Sequence, residues 1–493
     1  MNISPLTHID WYKADHRRQY PEGTSLVFSN FTPRSSRLEG VDSVVFFGLQ
    51  YFIKEYLVRQ WRVNFFERPI EEVVAKYKRR VDNALGKDTV SMEHIRELHA
   101  IGYLPIRILA LPEGTKVPLG VPPFVIHSTT ESSFWLPNFL ETIISCTVWQ
   151  GCTSMTIANE YRQEFLRAAR DTGGSLAFVP FQGHDFSFRG MSSLETACIS
   201  GAAHLAAGFC GSDTVPAIEF LEQYYHANSD EEMIGVSVRA TEHSVVAMGM
   251  KENELGTLKR LLEIYPTGIL SYVSDTWDFW GVLTSILPQL RQQILARPGK
   301  LVIRPDSSPK TPLEIICGDP DAEPGSVEFK GAIEVLWDLF GGTTNVAGYK
   351  ELDSHIGLIY GDSITLPLAK KINECLKAKG FASTNWVAGI GSYTYQFNTR
   401  DTFGFAMKAT YGVVNDEPRN IFKDPKTNKG AFSKKSAKGL LAVFESCEAN
   451  GPLMLVEQAT WEQVNNCAFN VVFENGVEGF QNKLFAIRQR VQQ

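Results

Sequence analysis

The stretch LVIRPDS, residues 301–307, passes from an apolar run to a set of chemically active side chains. Leu301, Val302 and Ile303 form an unbroken apolar segment, which is typical of a strand covered on both faces. The proline that follows Arg304 has no N–H for a sheet ladder, so the strand ends there. In β/α folds, ligands bind at the carboxyl ends of parallel strands. An arginine and an aspartate at such an end would suit a phosphate and a metal or sugar hydroxyl, respectively.

The same layout recurs along the middle of the chain. Further strand-like segments lead to His243, Asp275, Asp362 and Gly391. Successive strand ends lie roughly 30 residues apart, the length of one strand, one helix and their turns. One interval is nearly twice as long and contains the Pro- and Gly-containing stretch 309–331, which we interpret as an insertion. The spacing predicts an α/β fold with a (β/α) barrel, and an open doubly wound sheet is the alternative.

The composition indicates a globular protein of two or three domains. The chain has 493 residues, of which 44% are hydrophobic and 21% are charged, enough for a large core. A net charge of −7, from 48 basic and 55 acidic residues, gives no reason to expect nucleic acid or an anionic membrane as a partner. Eight cysteines without a CxxC pair favour a reducing compartment. No apolar stretch reads as a signal peptide or a membrane span, so we expect a cytoplasmic protein.

Two regions flank the barrel pattern and show β signals. Residues 1–150 mix strand and helix patterns, and residues 411–493 carry short apolar strands with an Asn475-Gly476 hairpin signal. We predict that these regions form one α+β, β-rich domain. Residues 151–410 are then the β/α barrel-like catalytic domain.

The block GHDFSFRGMSSLETA, residues 183–197, is a candidate binding segment. Ser192 and Glu195 have the spacing of a capping box at the start of a helix, whose N–H groups, with Arg189, would suit an anion. Phe186 would stack on a flat heterocycle. The structural alternative is that the aromatic rings belong to the core and Arg189 pairs with Asp185.

Four polar side chains, three of them at predicted strand ends, each allow a functional and a structural interpretation. Asp213 either caps the following helix or accepts a hydrogen bond from a ligand. His243 is either structural or functional, and the neighbouring Glu242 points to the opposite face and would orient it poorly. Asp275 and Asp306 would jointly bind Mg²⁺, or they cap helices and form ion pairs.

Two further segments are candidates for phosphate binding. Gly389 and Gly391 follow a strand and would let the backbone approach a phosphate. The stretch 420–439 carries six lysines, beginning with Lys423. This stretch is either a solvated surface or a mobile phosphate clamp.

Taken together, these motifs resemble the nicotinamide phosphoribosyltransferase family over most of the chain. The matching segments are DWYKADHRRQYP from Asp10, HDFSFRG from His184, GSDTV, SVRATEHS, SDTWD, IRPDS, YGDS, NTRDTFGFAMKAT from Asn398, and FKDP. The resemblance implies the type II phosphoribosyltransferase fold, an irregular (β/α) barrel with a β-rich second domain. It also implies a homodimer whose active sites are completed across the interface.

The resemblance also implies roles for individual residues. Phe186 and Tyr12 of the other subunit would sandwich the pyridine ring, and Asp213 would accept a hydrogen bond from the carboxamide. Arg304 and Arg189 would face phosphate groups. His243 would be phosphorylated by ATP, which is sensible because a neutral imidazole nitrogen is a nucleophile.

The remaining site residues follow from the same motifs. Asp306, Asp275 and Asp362 would surround the ribose and Mg²⁺, and Arg400 and Lys408 would reach in from the partner. The other substrate-binding candidates are Ser237, Gly361, Gly391 and Lys423.

The expected reaction is transfer of a phosphoribosyl group from phosphoribosyl pyrophosphate to nicotinamide, with Mg²⁺ and stimulation by ATP, in NAD salvage. The alternatives are a nicotinate phosphoribosyltransferase and a catalytically silent binding protein. Arg239 stands where several relatives have proline, and Ser392 and Tyr393 replace glycines. These departures affect phosphate binding and ATP use rather than the reaction class.

Overall fold

The computed structural model describes residues 3–306, 310–361, 364–423, 437–446 and 451–493. The chain forms two compact units. The first unit comprises Met1–Thr156, Phe220–Ala227 and Asn398–Gln493, and the second comprises Ile157–Glu219 and Asn228–Phe397. The sequence-based boundaries were 1–150 with 411–493 for one domain and 151–410 for the other.

The strands are short, and the longest have nine residues. In chain order they are β1 Thr24–Thr32, β2 Ser43–Val45, β3 Ile106–Ala110, β4 Lys116–Pro118, β5 Phe124–Ser128, β6 Gly183–Asp185, β7 Gly211–Ser212, β8 Arg239–Ala240, β9 Gly268–Val273, β10 Gly299–Arg304, β11 Gly342–Thr344, β12 Lys350–Leu352, β13 Ile356–Tyr360, β14 Trp386–Ile390, β15 Ala406–Val414, β16 Glu417–Asn420, β17 Leu441–Phe444, β18 Met454–Glu457, β19 Asn470–Glu474 and β20 Val477–Glu478.

The helices vary in length from single turns to 31 residues. In chain order they are α1 His16–Gln19, α2 Leu49–Phe52, α3 Ile70–Leu85, α4 Glu93–Ile101, α5 Leu136–Phe139, α6 Glu141–Asp171, α7 Leu194–Ala206, α8 Pro216–Tyr225, α9 His243–Met248, α10 Glu254–Ile264, α11 Phe279–Gly281, α12 Leu287–Ala296, α13 Pro312–Cys317, α14 Val327–Lys330, α15 Ala332–Phe340, α16 Leu366–Ala378, α17 Ser392–Gln396, α18 Trp461–Asn465 and α19 Leu484–Gln492. Within the described ranges, no helix is both long and apolar enough to cross a lipid bilayer.

The first unit contains an antiparallel sheet built from both ends of the chain. Its strand order is β16-β15-β1-β5-β3-β19-β20. The ring of Phe31 stacks on Phe124 and on Phe405, with ring centroids 5.2 Å and 5.1 Å away, so the core draws on both segments. The β19–β20 hairpin turns through Asn475 and Gly476, both at positive φ, as the Asn-Gly signal predicted.

The second unit contains a parallel sheet with the order β7-β6-β14-β13-β10-β9-β8. A further parallel bridge joins Gly211 of β7 to Val236, just before β8. This bridge joins one edge strand to the segment that leads into the other, so the sheet curves round to close on itself. The predicted barrel is therefore confirmed, and the open doubly wound sheet is wrong. The long interval after β10 contains helices α13 to α15 and the hairpin β11–β12.

The start of α7 differs from the sequence-based expectation by one residue. Ser193 is the N-cap, and its hydroxyl accepts from the N–H of Thr196, which reciprocates through its own side chain. The predicted pair was Ser192 with Glu195. The N–H of Ser192 instead donates to the side-chain oxygen of Gln396, at 2.8 Å, a contact from 204 residues away that no local pattern reveals.

Candidate active site

The carboxyl ends of the parallel strands in the second unit surround a cavity of about 910 Å³. Most candidates from the sequence that belong to this unit line it. They are Phe186, Arg189, Asp213, His243, Arg304, Asp306, Gly361 and Gly391. Asp362, also a candidate, lies outside the described residues. The strand ends therefore bring together side chains that are far apart in the chain.

A second cavity, of about 620 Å³, lies among the strands of the same unit. It shares Phe186, Asp213 and Arg304 with the first cavity, and Ser237 lines it. Most of its remaining surface is apolar, as expected for the site of a flat, largely apolar ring. Phe186, Asp213 and Arg304 therefore lie where the two cavities meet.

Asp213 is held by two hydrogen bonds to the same carboxylate oxygen. Its Oδ1 accepts from Nε2 of His184 at 2.9 Å and from the hydroxyl of Ser237 at 2.5 Å. Burial raises the pKa of the Asp213 carboxyl, but these two hydrogen bonds and the charge of Arg304 outweigh it, so the net pKa lies below its usual value. Asp213 is thus a carboxylate fixed by two side-chain donors.

His184 is a site residue that the sequence analysis did not assign. It lies in the quoted HDFSFRG segment, two residues before Phe186, which is the spacing of side chains on one face of an extended chain. The two rings are 4.7 Å apart between centroids. That spacing was the available signal, because a histidine and an aromatic ring on one strand face at a ligand-binding end are positioned to act together.

The position of Phe186 depends on the neighbouring strand β14. Its N–H donates to the carbonyl oxygen of Ile390 at 2.9 Å. A side chain at Gly389 would place its Cβ 2.7 Å from the Phe186 ring, whereas a Cβ at Gly391 would meet no protein atom within 4 Å. Gly389 therefore makes room for the ring rather than for a phosphate, and Gly391 is the glycine that opens onto the cavity.

Asp275 connects two strand ends through both of its carboxylate oxygens. Oδ1 accepts from Nε2 of His243 at 3.1 Å, and Oδ2 accepts from the backbone N–H of Asp306 at 2.7 Å. The side chain of Asp275 is 3% exposed. Glu242 instead accepts a hydrogen bond from the Ser244 hydroxyl. Asp275 is therefore a group that orients His243, and the helix that follows it, α11, is capped by Asp278 instead.

Arg304 is fixed between two neighbouring strand ends. Its Nη2 donates to the carbonyl oxygen of Thr241 at 2.7 Å and lies 3.6 Å from Oδ2 of Asp306. Its buried Nε has no hydrogen-bond acceptor among the described residues. A buried donor without an acceptor is costly, and an anionic ligand would lower this cost.

Arg189 is exposed. Asp185, its partner in the structural alternative, makes its hydrogen bonds to other residues. Asp185 is fully buried. Its carboxylate accepts from the N–H of Ser187 at 2.9 Å and from the hydroxyl of Ser212 at 3.3 Å. Among the described residues, Asp185 therefore does not pair with Arg189, and that structural alternative is wrong.

Asp306 and Gly361 form a close junction between β10 and β13. A Cβ at Gly361 would lie 1.9 Å from Oδ1 of Asp306, so any larger residue here would displace the Asp306 carboxylate. The described residues contain no group of three or more His, Cys, Asp or Glu side chains that could hold a metal. One or two carboxylates such as Asp306 and Asp275 nevertheless fit Mg²⁺, which takes its other ligands from water and substrate phosphates.

The candidates assigned to the partner subunit lie in the first unit. Tyr12, which is 58% exposed, and Arg400 line a cavity of about 260 Å³ together with Glu141. Burial lowers the pKa of the Lys408 ammonium, and three neighbouring cations lower it further. These cations are Arg34, Lys13 and Arg400.

Arg34 and Lys13 were not among the residues chosen from the sequence. Lys13 lies in the quoted DWYKADHRRQYP segment and pairs with Glu141. The lysine-rich stretch lies mostly outside the described residues, which end at Lys423 before resuming at residue 437. The first unit thus carries a cluster of cations suited to phosphate groups.

The departures from the family pattern occupy two different environments. The guanidinium of Arg239 lies over the ring of Tyr265, 5.4 Å from its centroid. Ser392 and Tyr393 line the larger cavity, and the Tyr393 ring stacks on Phe397 with centroids 5.0 Å apart.

Comparisons with known proteins agree with the resemblance seen in the sequence. Residues 181–473 match the model of the nicotinate phosphoribosyltransferase (NAPRTase) family, and residues 4–108 match that of the nicotinamide phosphoribosyltransferase N-terminal domain. The chain is 51% identical to nicotinamide phosphoribosyltransferase of Acinetobacter baylyi, over 100% of this chain and 97% of that protein. It is 33% identical to the protein of that name from Xanthomonas campestris pv. campestris, over 96% and 94%.

Solved structures of low sequence identity support the fold. Nicotinate-nucleotide pyrophosphorylase from Pyrococcus furiosus has a TM-score of 0.57 and 15% identity, and 99% of this chain and 95% of that chain are covered. Human nicotinic acid phosphoribosyltransferase has a TM-score of 0.54 and 13% identity, with 98% and 92% covered. The fold is thus that of the type II phosphoribosyltransferases, and the chain belongs to the nicotinamide phosphoribosyltransferase family.

Proposed function

We propose that this protein transfers the 5-phosphoribosyl group of phosphoribosyl pyrophosphate to nicotinamide, giving nicotinamide mononucleotide and pyrophosphate. The observation that carries the proposal is the carboxylate of Asp213, fixed by His184 and Ser237 beside the Phe186 ring at the mouth of the barrel. Relatives that match nearly the whole chain bear the name of this activity.

Base selection follows from the charge of Asp213. Its Oδ1 accepts the two protein hydrogen bonds, so Oδ2 would be the oxygen that accepts from the ligand. A carboxamide N–H donates to this oxygen, whereas the carboxylate of nicotinate would place two negative charges together. Phe186 supplies an aromatic face for the pyridine ring. The pocket therefore favours the neutral base.

The chain's own residues support the charge changes of the transfer. The pyridine nitrogen attacks the anomeric carbon as the bond to pyrophosphate breaks, so positive charge builds on the ribose and negative charge on the leaving group. The Asp306 carboxylate favours the former, and the guanidinium groups of Arg304 and Arg189 favour the latter. Gly391 leaves space for a phosphate beside the backbone.

Mg²⁺ is the metal that this donor set fits. Asp306 would contribute a carboxylate oxygen, with Asp275 behind it already accepting from His243 and from the Asp306 N–H. The ion would neutralise the charge of the departing pyrophosphate.

We further propose that His243 accepts a phosphoryl group from ATP. Because Nε2 donates to Asp275, the neutral ring carries its lone pair on Nδ1, which is the nucleophilic nitrogen. The bond from the γ-phosphorus to the bridging oxygen breaks and ADP leaves. His243 and Ser244 both line the larger cavity, which gives the phosphates of the nucleotide access to the ring.

We also propose a homodimer with shared active sites. Tyr12, Arg400 and Lys408 belong to the first unit and would contribute a second aromatic face and two cations to the barrel site of another copy. The exposure of Tyr12 and the clustering of cations around Lys408 support this role.

Product analysis tests the proposed function directly. Purified protein is incubated with nicotinamide, phosphoribosyl pyrophosphate and Mg²⁺, with and without ATP, and nicotinamide mononucleotide and pyrophosphate are quantified. We expect both products from the wild type, more of them with ATP, and none above background from Arg304→Ala. The control Arg291→Ala removes a guanidinium outside the described cavities and should retain activity.

Two alternatives predict different results in the same assay. A nicotinate phosphoribosyltransferase, which the match of residues 181–473 favours, would form nicotinate mononucleotide faster than nicotinamide mononucleotide. A catalytically silent binding protein would release no pyrophosphate with either base. Either result would overturn the proposal.

A further inference from the structure

Two cysteine side chains of the second unit, Cys317 and Cys375, meet in a contact that the proposed reaction does not use. Cys317 is the last residue of α13, Cys375 lies in α16, and these helices pack together. The thiol of Cys317 is within hydrogen-bonding reach of the Ile372 carbonyl oxygen, at 3.7 Å, and of the Cys375 sulfur. A disulfide between these two sulfurs would bring them to a separation of about 2.05 Å.

The two thiols differ in exposure and in acidity. Cys317 is buried, whereas Cys375 is partly exposed. The pKa of the Cys375 thiol is lowered to about 7, chiefly because Cys317 donates to it; burial opposes this shift and the Lys379 ammonium supports it. Burial instead raises the pKa of Cys152 to about 12 and that of Cys198 to about 11. Because the thiolate is the reactive form, Cys375 is the more nucleophilic of these cysteines.

A fixed cation stands beside the pair. Nζ of Lys379 donates to the carbonyl oxygens of Cys317 and Lys330, at 2.8 Å and 2.7 Å, and pairs with Glu334 at 2.8 Å. These contacts hold the ammonium next to the end of α13. A positive charge held near a thiol stabilises the thiolate.

We propose that Cys317 and Cys375 are a site of reversible oxidation, at which a small-molecule disulfide converts the two thiols to one intramolecular disulfide. The Cys375 thiolate attacks a sulfur of the reagent, and the first thiolate leaves. Cys317 then gives its proton to that thiolate and attacks the Cys375 sulfur, which releases the second thiolate to be protonated by water. The protein loses two electrons and two protons, and the reagent becomes two thiols.

The bond would join two helices that follow the strands of the site. Helix α13 comes after β10, which ends at Arg304, and α16 comes after β13 and Gly361. Oxidation would therefore close a covalent loop that contains β13. Reduction by an excess of thiol would open it again.

Mass spectrometry of the full-length protein tests this site. The protein is incubated with oxidised glutathione, remaining thiols are alkylated with iodoacetamide, and the unreduced chain is digested. We expect a linked peptide pair containing Cys317 and Cys375 that disappears on treatment with dithiothreitol. The matched control Cys467→Ser should give the same linked pair as the wild type.

Single variants separate the two roles. In Cys317→Ser, glutathione should remain attached to Cys375, because the resolving thiol is absent. In Cys375→Ser, the buried Cys317 should carry no glutathione. Wild-type protein in which both cysteines are alkylated, or in which glutathione stays on Cys375 with Cys317 intact, would overturn the proposal. The same is true if Cys317 acquires glutathione in Cys375→Ser.

Discussion

At the scale of single residues, we propose that the selectivity of the site rests on one carboxylate, that of Asp213. Oδ1 of Asp213 receives donors from His184 and Ser237, which fixes the carboxylate and lowers its pKa against the effect of burial. Asp213 therefore remains ionised at neutral pH. A permanent negative charge at this position discriminates between an amide and a carboxylate on otherwise identical rings.

Replacing Asp213 by asparagine should remove this discrimination. The variant keeps the shape of the side chain but loses the charge, and a charge-assisted hydrogen bond contributes about 1.5–3 kcal/mol. We expect kcat/KM for nicotinamide to fall by roughly 10- to 100-fold and the preference over nicotinate to disappear. Steady-state kinetics with both bases measure this, with Glu263→Gln in α10 as a control. Unchanged kinetics with both bases would refute the role of Asp213.

A second prediction at this scale concerns Asp275. Charge-assisted hydrogen bonds are about twice as strong as neutral ones, so Asp275→Asn should orient His243 less firmly. We expect acid-labile phosphate on the protein after incubation with ATP to fall by roughly 3- to 10-fold. The control is Glu242→Gln, because Glu242 neighbours His243 but bonds to Ser244. Equal phosphate on Asp275→Asn and the control would contradict this orientation by Asp275.

Residue types could be chosen from the sequence, but their partners could not. His243 and Asp275 stood out because each is polar and follows an apolar strand-like segment, whereas Asp213 was chosen from the GSDTV segment. That His184 would hold Asp213, and that Asp275 rather than Glu242 would hold His243, depends on which strands are neighbours. Strand pairing is a property of the whole sheet, so no local pattern specifies it.

At the scale of secondary-structure elements, the turn from β14 into α17 is built around Gly391. Its φ is −88°, which any residue adopts, and its Cβ position is open. At Gly389, by contrast, a Cβ would lie 2.7 Å from the Phe186 ring and 2.7 Å from the carbonyl oxygen of Tyr360. The two glycines are thus alike in sequence and different in function.

This contrast predicts the effect of Gly391→Ala. The added methyl group meets no protein atom, so the thermal unfolding midpoint should be unchanged. If a substrate phosphate approaches the backbone there, KM for phosphoribosyl pyrophosphate should rise by roughly tenfold, equivalent to about 1.4 kcal/mol. Kinetics and thermal unfolding of the same preparation measure both. A variant with normal KM would show that the phosphate lies elsewhere.

Elements were predicted well where apolar runs end in polar residues, and less well at helix starts. The strands leading to Asp275, Arg304 and Gly391 are present as β9, β10 and β14. The cap of α7 was misassigned because Gln396 takes the N–H of Ser192. A helix boundary set by a distant side chain is not encoded in the local pattern.

At the scale of the whole molecule, neither the closure of the barrel nor the set of segments that forms each unit could be predicted from the sequence. The spacing of strand ends could not distinguish a barrel from an open sheet, because closure depends on the single bridge between Gly211 and Val236. The segment Phe220–Ala227 belongs to the first unit although it lies within the barrel region of the sequence.

Shared active sites predict that two inactive variants restore activity when mixed. Phe186→Ala disables the barrel side of the site, and Arg400→Ala disables the side supplied by the partner. In a heterodimer one site carries both changes and the other carries neither, so an equilibrated equal mixture should regain about a quarter of wild-type activity. Activity that stays at the sum of the two variants would contradict sharing of sites between subunits.

We propose that the fixed carboxylate at the barrel mouth selects a neutral pyridine base for phosphoribosyl transfer. The most direct measurement is a competition, in which wild-type protein receives equal concentrations of nicotinamide and nicotinate with phosphoribosyl pyrophosphate and Mg²⁺. The account predicts that nicotinamide mononucleotide is the main product. Predominance of nicotinate mononucleotide, or equal amounts of both, would contradict it.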